Sequence, residues 1–191
     1  MNYVQIKPVC HDDAARLGLM QGYEDDFELD HGISLAKTFS KDAHYRMSRD
    51  FPKSKALVDV LQAVGSDLVV NARVRKLLED RKVPGLEFFE VRILNHKGVA
   101  VKEQYFVINL LHLVDCVDRK KTRYTPNSLN KEKMVDVSNL TIIESKIDKE
   151  LQLFRVRGLP MLTVVTRELA AALKKAKVVG IDFPELASFT F

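Results

Sequence analysis

The chain is short of the residues on which several familiar chemistries depend. Its 191 residues include eight glycines, two cysteines and no tryptophan. The glycines form no phosphate-cradling loop: neither G-x-x-x-x-G-K-S/T nor G-x-G-x-x-G after a strand occurs, so nucleotide-driven chemistry is not expected. The five histidines, His11, His31, His44, His96 and His112, are scattered. None shows the H-E-x-x-H spacing that sets two metal ligands on one helical face, and no G-x-S-x-G elbow is present. Cys10 and Cys116 lack C-x-x-C spacing, and so few thiols in a chain of this length are expected to stay reduced. No apolar run approaches the roughly 18 residues needed to span a bilayer. The first twenty residues also lack the basic start and apolar core of an export signal, which makes the cytoplasm the expected setting. No catalytic residue, cofactor or metal site is expected from these patterns.

What is present is the balance of a globular protein: 46% of the residues are apolar and 29% charged, too apolar a composition for disorder. With no Pro/Gly/Ser-rich linker in the middle, the expectation is a single compact domain over residues 1–191. Thirty basic residues against 26 acidic ones give a formal charge of +4, a small excess for a nucleic-acid binder. The distribution is less even than the total. Glu24, Asp25, Asp26, Glu28 and Asp30 cluster early, and Arg119, Lys120, Lys121 and Arg123 cluster in the middle.

Residues 2–7 read as a strand, while 12–44 are polar, acidic and weakly periodic. In 52–64 the spacing of Leu57, Leu61 and Val64 predicts a helix, begun by Pro52 and stopped by Gly65. A strand at 68–70, a cap at Asn71 and a helix burying Val74, Leu77 and Leu78 follow, and Pro84 and Gly85 close the helix. A strand over 86–94, a turn at 95–98 and a long central strand through Tyr105, Val107, Leu111 and Leu113 come next. Residues 119–133 read as a loop, 140–143 and 151–156 as a hairpin around Asp148 and Lys149, and 167–176 as a helix before an apolar strand into Phe183.

The segment 68–90 lines up without gaps on 163–185. About eight positions in roughly twenty-two are identical, among them Val69 with Val164, Leu78 with Leu173, Gly85 with Gly180 and Phe88 with Phe183. Asn71 meets Thr166 at the cap, and Val74 meets Leu169 on the helix face. One strand, cap, helix, strand unit used twice accounts for this, each unit hiding one helical stripe on a shared sheet. The expected fold is therefore α+β, a mixed or antiparallel sheet with two similar strand-helix-strand units and few helices.

Three clusters were weighed for chemistry. The run EDDFELDHG alternates Asp26, Glu28 and Asp30 as a calcium loop would, yet His31 and Lys37 stand where a glycine and a bidentate glutamate are required. A solvated acidic loop, or a protein-contact surface formed by Glu24, Asp25, Asp26, Glu28 and Asp30, fits better. The run Arg119, Lys120, Lys121 and Arg123 beside Tyr124 could contact anions, but one short run neutralises few phosphates. Asp115 and Asp118 have no companion acid, base or metal ligand nearby in sequence, so a turn or cap role suits them. His112, in an apolar strand, reads as a packed histidine.

The stretches SDLVVNARVRKLLEDRKVPGLEFFEVRIL and EQYFVINLLHLVDCVDRKKT resemble the core of an immunity-protein family from bacterial polymorphic toxin systems. The pattern is carried by Gly85, Glu87, Phe88, Tyr105, Asn109, Asp115 and Asp118, and its closing segment by Gly180, Asp182 and Phe183. The likeness covers roughly residues 50–185 and its motifs are structural. Asn71 stands where a serine cap is common and keeps the capping oxygen. The basic RKKT after Asp118 replaces a more acidic stretch. The resemblance implies a protein without catalytic residues that binds and neutralises a cognate toxin in interbacterial competition. The alternative is a nucleic-acid-associated protein using the basic run at 119–123. A membrane partner is not expected.

Overall fold

Two helices form where local signals agree. The helix α1 (Ala72–Asp80) begins at Asn71, whose side chain accepts a hydrogen bond from the Val74 N–H; α2 (Arg167–Lys175) begins at Thr166, which accepts from the Leu169 N–H. Val74 and Leu78 of α1 are buried, as are Leu169, Ala170 and Leu173 of α2, whereas Leu77 is half-buried. These observations come from a computed structural model that describes residues 2–11 and 13–190; Asp12, at the head of the weakly periodic segment, lies outside them.

The strands are β1 (Tyr3–Gln5), β2 (Lys7–Pro8), β3 (Arg16–Leu17), β4 (His44–Arg46), β5 (Val60–Ala63), β6 (Leu68–Asn71) and β7 (Leu86–Leu94). They continue with β8 (Tyr105–Leu110), β9 (Leu113–Val114), β10 (Arg123–Pro126), β11 (Met134–Ser138), β12 (Leu153–Val156), β13 (Leu159–Thr166) and β14 (Ile181–Asp182). A six-stranded sheet runs β3-β5-β6-β8-β7-β4, and a four-stranded one β1-β13-β12-β9. The first curls nearly shut, because Leu17 bridges Met47 and the Gly18 N–H bonds to the Arg46 carbonyl at 2.9 Å. Its interior is filled by Leu17, Tyr45, Leu61, Val69, Ile93 and Val107. A second core lies between the sheets and both helices, and a third packs Phe154, Val164, Met134 and Cys116 on the far side of the smaller sheet. The architecture is α+β with few helices.

Four expectations are corrected. Residues 52–64 hold no helix. Val60 and Leu61 are adjacent and both buried, one in the inter-sheet core and the other in the barrel, which only a strand covered on two faces achieves; Val64 is left 55% exposed. The long strand through Leu113 is broken after Leu110: the Leu111 N–H bonds to the Gly85 carbonyl, the Arg155 N–H bonds to the His112 carbonyl, and the chain passes from one sheet into the other. The segment 119–133 contains β10, paired with β11. Residues 140–143 form no ladder with 151–156; Ile142 makes an isolated bridge to Val117, and β12 pairs instead with β13 and β9.

Candidate partner-binding surface

The acidic segment of residues 24–30 ends in the 3-10 turn Asp26–Asp30. Its carboxylates divide into two groups. Asp30 faces inward, where Oδ1 pairs with Arg155 Nη1 at 3.0 Å and accepts from Ser66 Oγ at 2.9 Å. Arg155 is wholly buried and also donates to the carbonyls of Pro160 (2.6 Å) and Ser66 (3.4 Å). Glu28 accepts from the Tyr23 hydroxyl at 2.7 Å; burial, then this bond, pushes the phenol up to about 12. Glu24, Asp25 and Asp26 make no side-chain hydrogen bond or ion pair among the described residues; Glu24 and Asp25 are exposed, Asp26 is half-buried, and the next residue, Phe27, is 55% exposed with its ring edge-on to His31.

The segment that follows is fastened as firmly. Gly32 has φ 68° and packs so closely on Leu113 and the Leu111 carbonyl that a side chain would crowd both. The Glu87 carboxylate then accepts from Ser34 Oγ (2.5 Å), the Leu35 N–H (3.0 Å) and Asn109 Nδ2 (2.9 Å), while Asn109 also donates to the Ile33 carbonyl at 2.8 Å. Burial raises the Glu87 pKa, but these donors outweigh it and leave the carboxyl below its ordinary range. Glu87 and Asn109 thus tie the base of the acidic segment to β7 and β8.

Beside this segment opens a groove of about 510 Å³, lined by Phe27, Asp30, His31, Leu113, Asn130 and Arg157 among others. Leu129, at the adjoining tip between β10 and β11, is 96% exposed. A further carboxyl is half-buried: Asp67 accepts from the Tyr45 hydroxyl at 2.6 Å. Burial raises the Asp67 pKa more than Tyr45 and Arg155 lower it.

The basic run is partly occupied. Arg119 faces Asp115 and Lys121 faces Asp118, each at 3.8 Å, and the Asp118 side chain accepts from the N–H groups of Lys120 and Lys121. Asp118 therefore closes a turn, and Asp115 faces Arg119. Arg123 is exposed at the start of β10. The His112 ring lies against Gly85. Both cysteines are free; burial pushes the Cys116 thiol up to about 12. No group of three His, Cys, Asp or Glu side chains is placed to hold a metal, and no helix is long and apolar enough to cross a membrane, among the described residues. Sequence reasoning missed Arg155, Asp67 and Tyr45, which are brought together only by the fold; the one available signal was an arginine inside the apolar stretch LQLFRVRGL.

The description that matches this chain is an immunity protein family, Imm11, whose model covers residues 4–188, and the chain belongs to that family. The match extends beyond the resemblance at 50–185 to take in residues 4–49. No curated protein matches the chain.

Proposed function

We propose that the protein neutralises a cognate bacterial toxin by binding it in the cytoplasm, and that the exposed carboxylates Glu24 and Asp25, with the half-buried Asp26 and with Phe27, form part of the toxin-facing surface. Membership of an immunity family supports the first statement. The observation that carries the second is the division of the acidic segment: Asp30 and Glu28 hold it in place, Asp26 is half-buried, and the carboxylates of Glu24 and Asp25 are left to solvent near an exposed aromatic ring in the chain. An apolar anchor near acidic charge suits a basic partner surface. Protection then comes from occupying the toxin and requires no catalytic residue. A nucleic-acid partner at Arg119, Lys120, Lys121 and Arg123 has less support, since Arg119 and Lys121 already face carboxylates.

The test is the double reversal of the exposed Glu24 and Asp25 to lysine, with Asp26 and Asp30 kept, titrated against the cognate toxin. Rim charges act mainly on association rate, whereas a central desolvated pair is worth roughly 2 to 5 kcal/mol. The expected result is markedly weaker binding with a shallower salt dependence. An affinity within about 0.5 kcal/mol of the parent at low salt, on a folded variant, removes the segment from the interface.

A further inference from the structure

The two strand-helix-strand segments agree beyond their sequences. Their helices end alike: the Val83 N–H bonds to the Leu78 carbonyl and the Val178 N–H to the Leu173 carbonyl, and Lys82 and Lys177, at matching positions, both take φ 53°. Each segment is preceded by the same hairpin. Val60 pairs with Val70 and Leu61 with Val69 in one half; Leu153 pairs with Val165 and Phe154 with Val164 in the other. The Asn71 N–H bonds to the Asp59 carbonyl as the Thr166 N–H bonds to that of Gln152. Each hairpin carries one more short strand in parallel: Arg16 beside Gln62, and Leu113 beside Arg155.

The correspondence extends to the strand at the start of each half. In the larger sheet β6 and β7 do not touch as neighbours; β8 lies between them, with Tyr105 opposite Asn71 and Leu110 opposite Leu86. In the other half β13 and β14 are bridged by residues 3–8, with Tyr3 opposite Thr166 and Pro8 opposite Ile181. The next bonds match too, Leu111 N–H to Gly85 and Val9 N–H to Gly180. Along the chain the order in both halves is first strand, parallel strand, hairpin, helix, last strand. Yet β8 opens the second half and completes the first, while β1 and β2 open the first half and complete the second.

We infer that the chain is a tandem duplication whose two copies have exchanged their first strands, so that each copy presents a strand-wide slot whose partner is the first strand of another copy. Backbone donors and acceptors on both walls of the slot need that strand, so neither wall is satisfied by its own copy. Equivalent residues from the two copies meet in one core, Val70 with Val165, Val74 with Leu169, Leu78 with Leu173 and Ile6 with Ile108, as across a two-fold interface. The segments between the parallel strand and the hairpin differ in the two copies; one holds the acidic segment and the other β10 and β11, and both reach the groove beside Phe27.

The slot and the equivalence are tested together on the full-length protein carrying a protease site between Cys10 and His11, cut after folding so that the first strand stays in place without a covalent tie. In urea just below the unfolding transition, fluorescent peptides of residues 2–9, residues 104–111 and a scramble of the latter are offered in excess. Entry of the 2–9 peptide, and of the 104–111 peptide at least tenfold above the scramble, is expected, with far-UV circular dichroism unchanged. Entry of 2–9 while 104–111 does no better than the scramble would overturn the equivalence of the two copies. Failure of both peptides to enter would overturn the separable slot.

Discussion

Arg155 is the residue on which the presented segment turns. A guanidinium with no exposed surface is held by one carboxylate, Asp30, and two carbonyls, while its Nε has no partner. Removing one member of such a buried pair typically costs about 3 to 5 kcal/mol, because the other charge is left uncompensated. Asp30→Ala should therefore lower the urea midpoint sharply, and Arg155→Met should cost less than Asp30→Ala, since the Asp30 carboxylate it leaves behind keeps access to solvent whereas the guanidinium has none. Denaturant titration of the two variants checks the order. Glu87 gives a second, pH-linked prediction. Its carboxyl sits below the ordinary value of 4.5 in the folded state, so the unfolded chain binds the proton more readily. The stability it contributes is present above about pH 4.5 and lost as pH falls through the lower folded value. Glu87→Gln should flatten the acid limb of a stability-against-pH curve and leave its slope above pH 6 unchanged. An acid limb as steep as the parent's would show that Glu87 does not carry this proton uptake. The charge run at 24–30 was legible in the sequence. Which of its carboxylates are committed was not, because Arg155 and Ser66 approach Asp30 only through tertiary structure.

At the scale of elements, both helices were legible because cap, apolar stripe and stop signal are local and agree. Asn71→Ala and Thr166→Ala should each cost about 1 kcal/mol, read as shifts of the urea midpoint. Asn71→Ala should cost the more, since Asn71 also donates to Asp59 at 2.9 Å, and burial of Asp59 is outweighed by that bond with those from Val179 and Arg73. Equal losses would mean that the Asn71–Asp59 bond adds nothing. The misreadings have a common physical source. Leu57, Leu61 and Val64 fall at helical spacing by coincidence, and the informative signal was the adjacent pair Val60 and Leu61, one for each face of a doubly covered strand. The continuous apolar run from Tyr105 to Val114 was read as one strand because periodicity does not reveal where a chain leaves one sheet for another. The hydrogen bond from Leu111 to Gly85 and that to the His112 carbonyl mark the place.

For the whole molecule, the resemblance in residues 50–185 pointed to the family that the match over residues 4–188 establishes. Residues 13–50 resisted reading because their order is imposed from outside: Glu87, Asn109, Arg155 and the barrel strands fasten them. The closure of the larger sheet through Leu17 and Met47 depends on partners distant in sequence and carries no local signature. The central claim, protection by occupation of a toxin, is tested most directly by stoichiometry. Purified cognate toxin is held at a concentration well above the dissociation constant, its activity is assayed, and the protein is titrated in. The account predicts a linear fall to a sharp end point at one molecule per toxin, with activity recovered after the complex is separated in denaturant and the toxin refolded. Loss of activity at a small fraction of an equivalent, with the toxin left covalently altered, would contradict it.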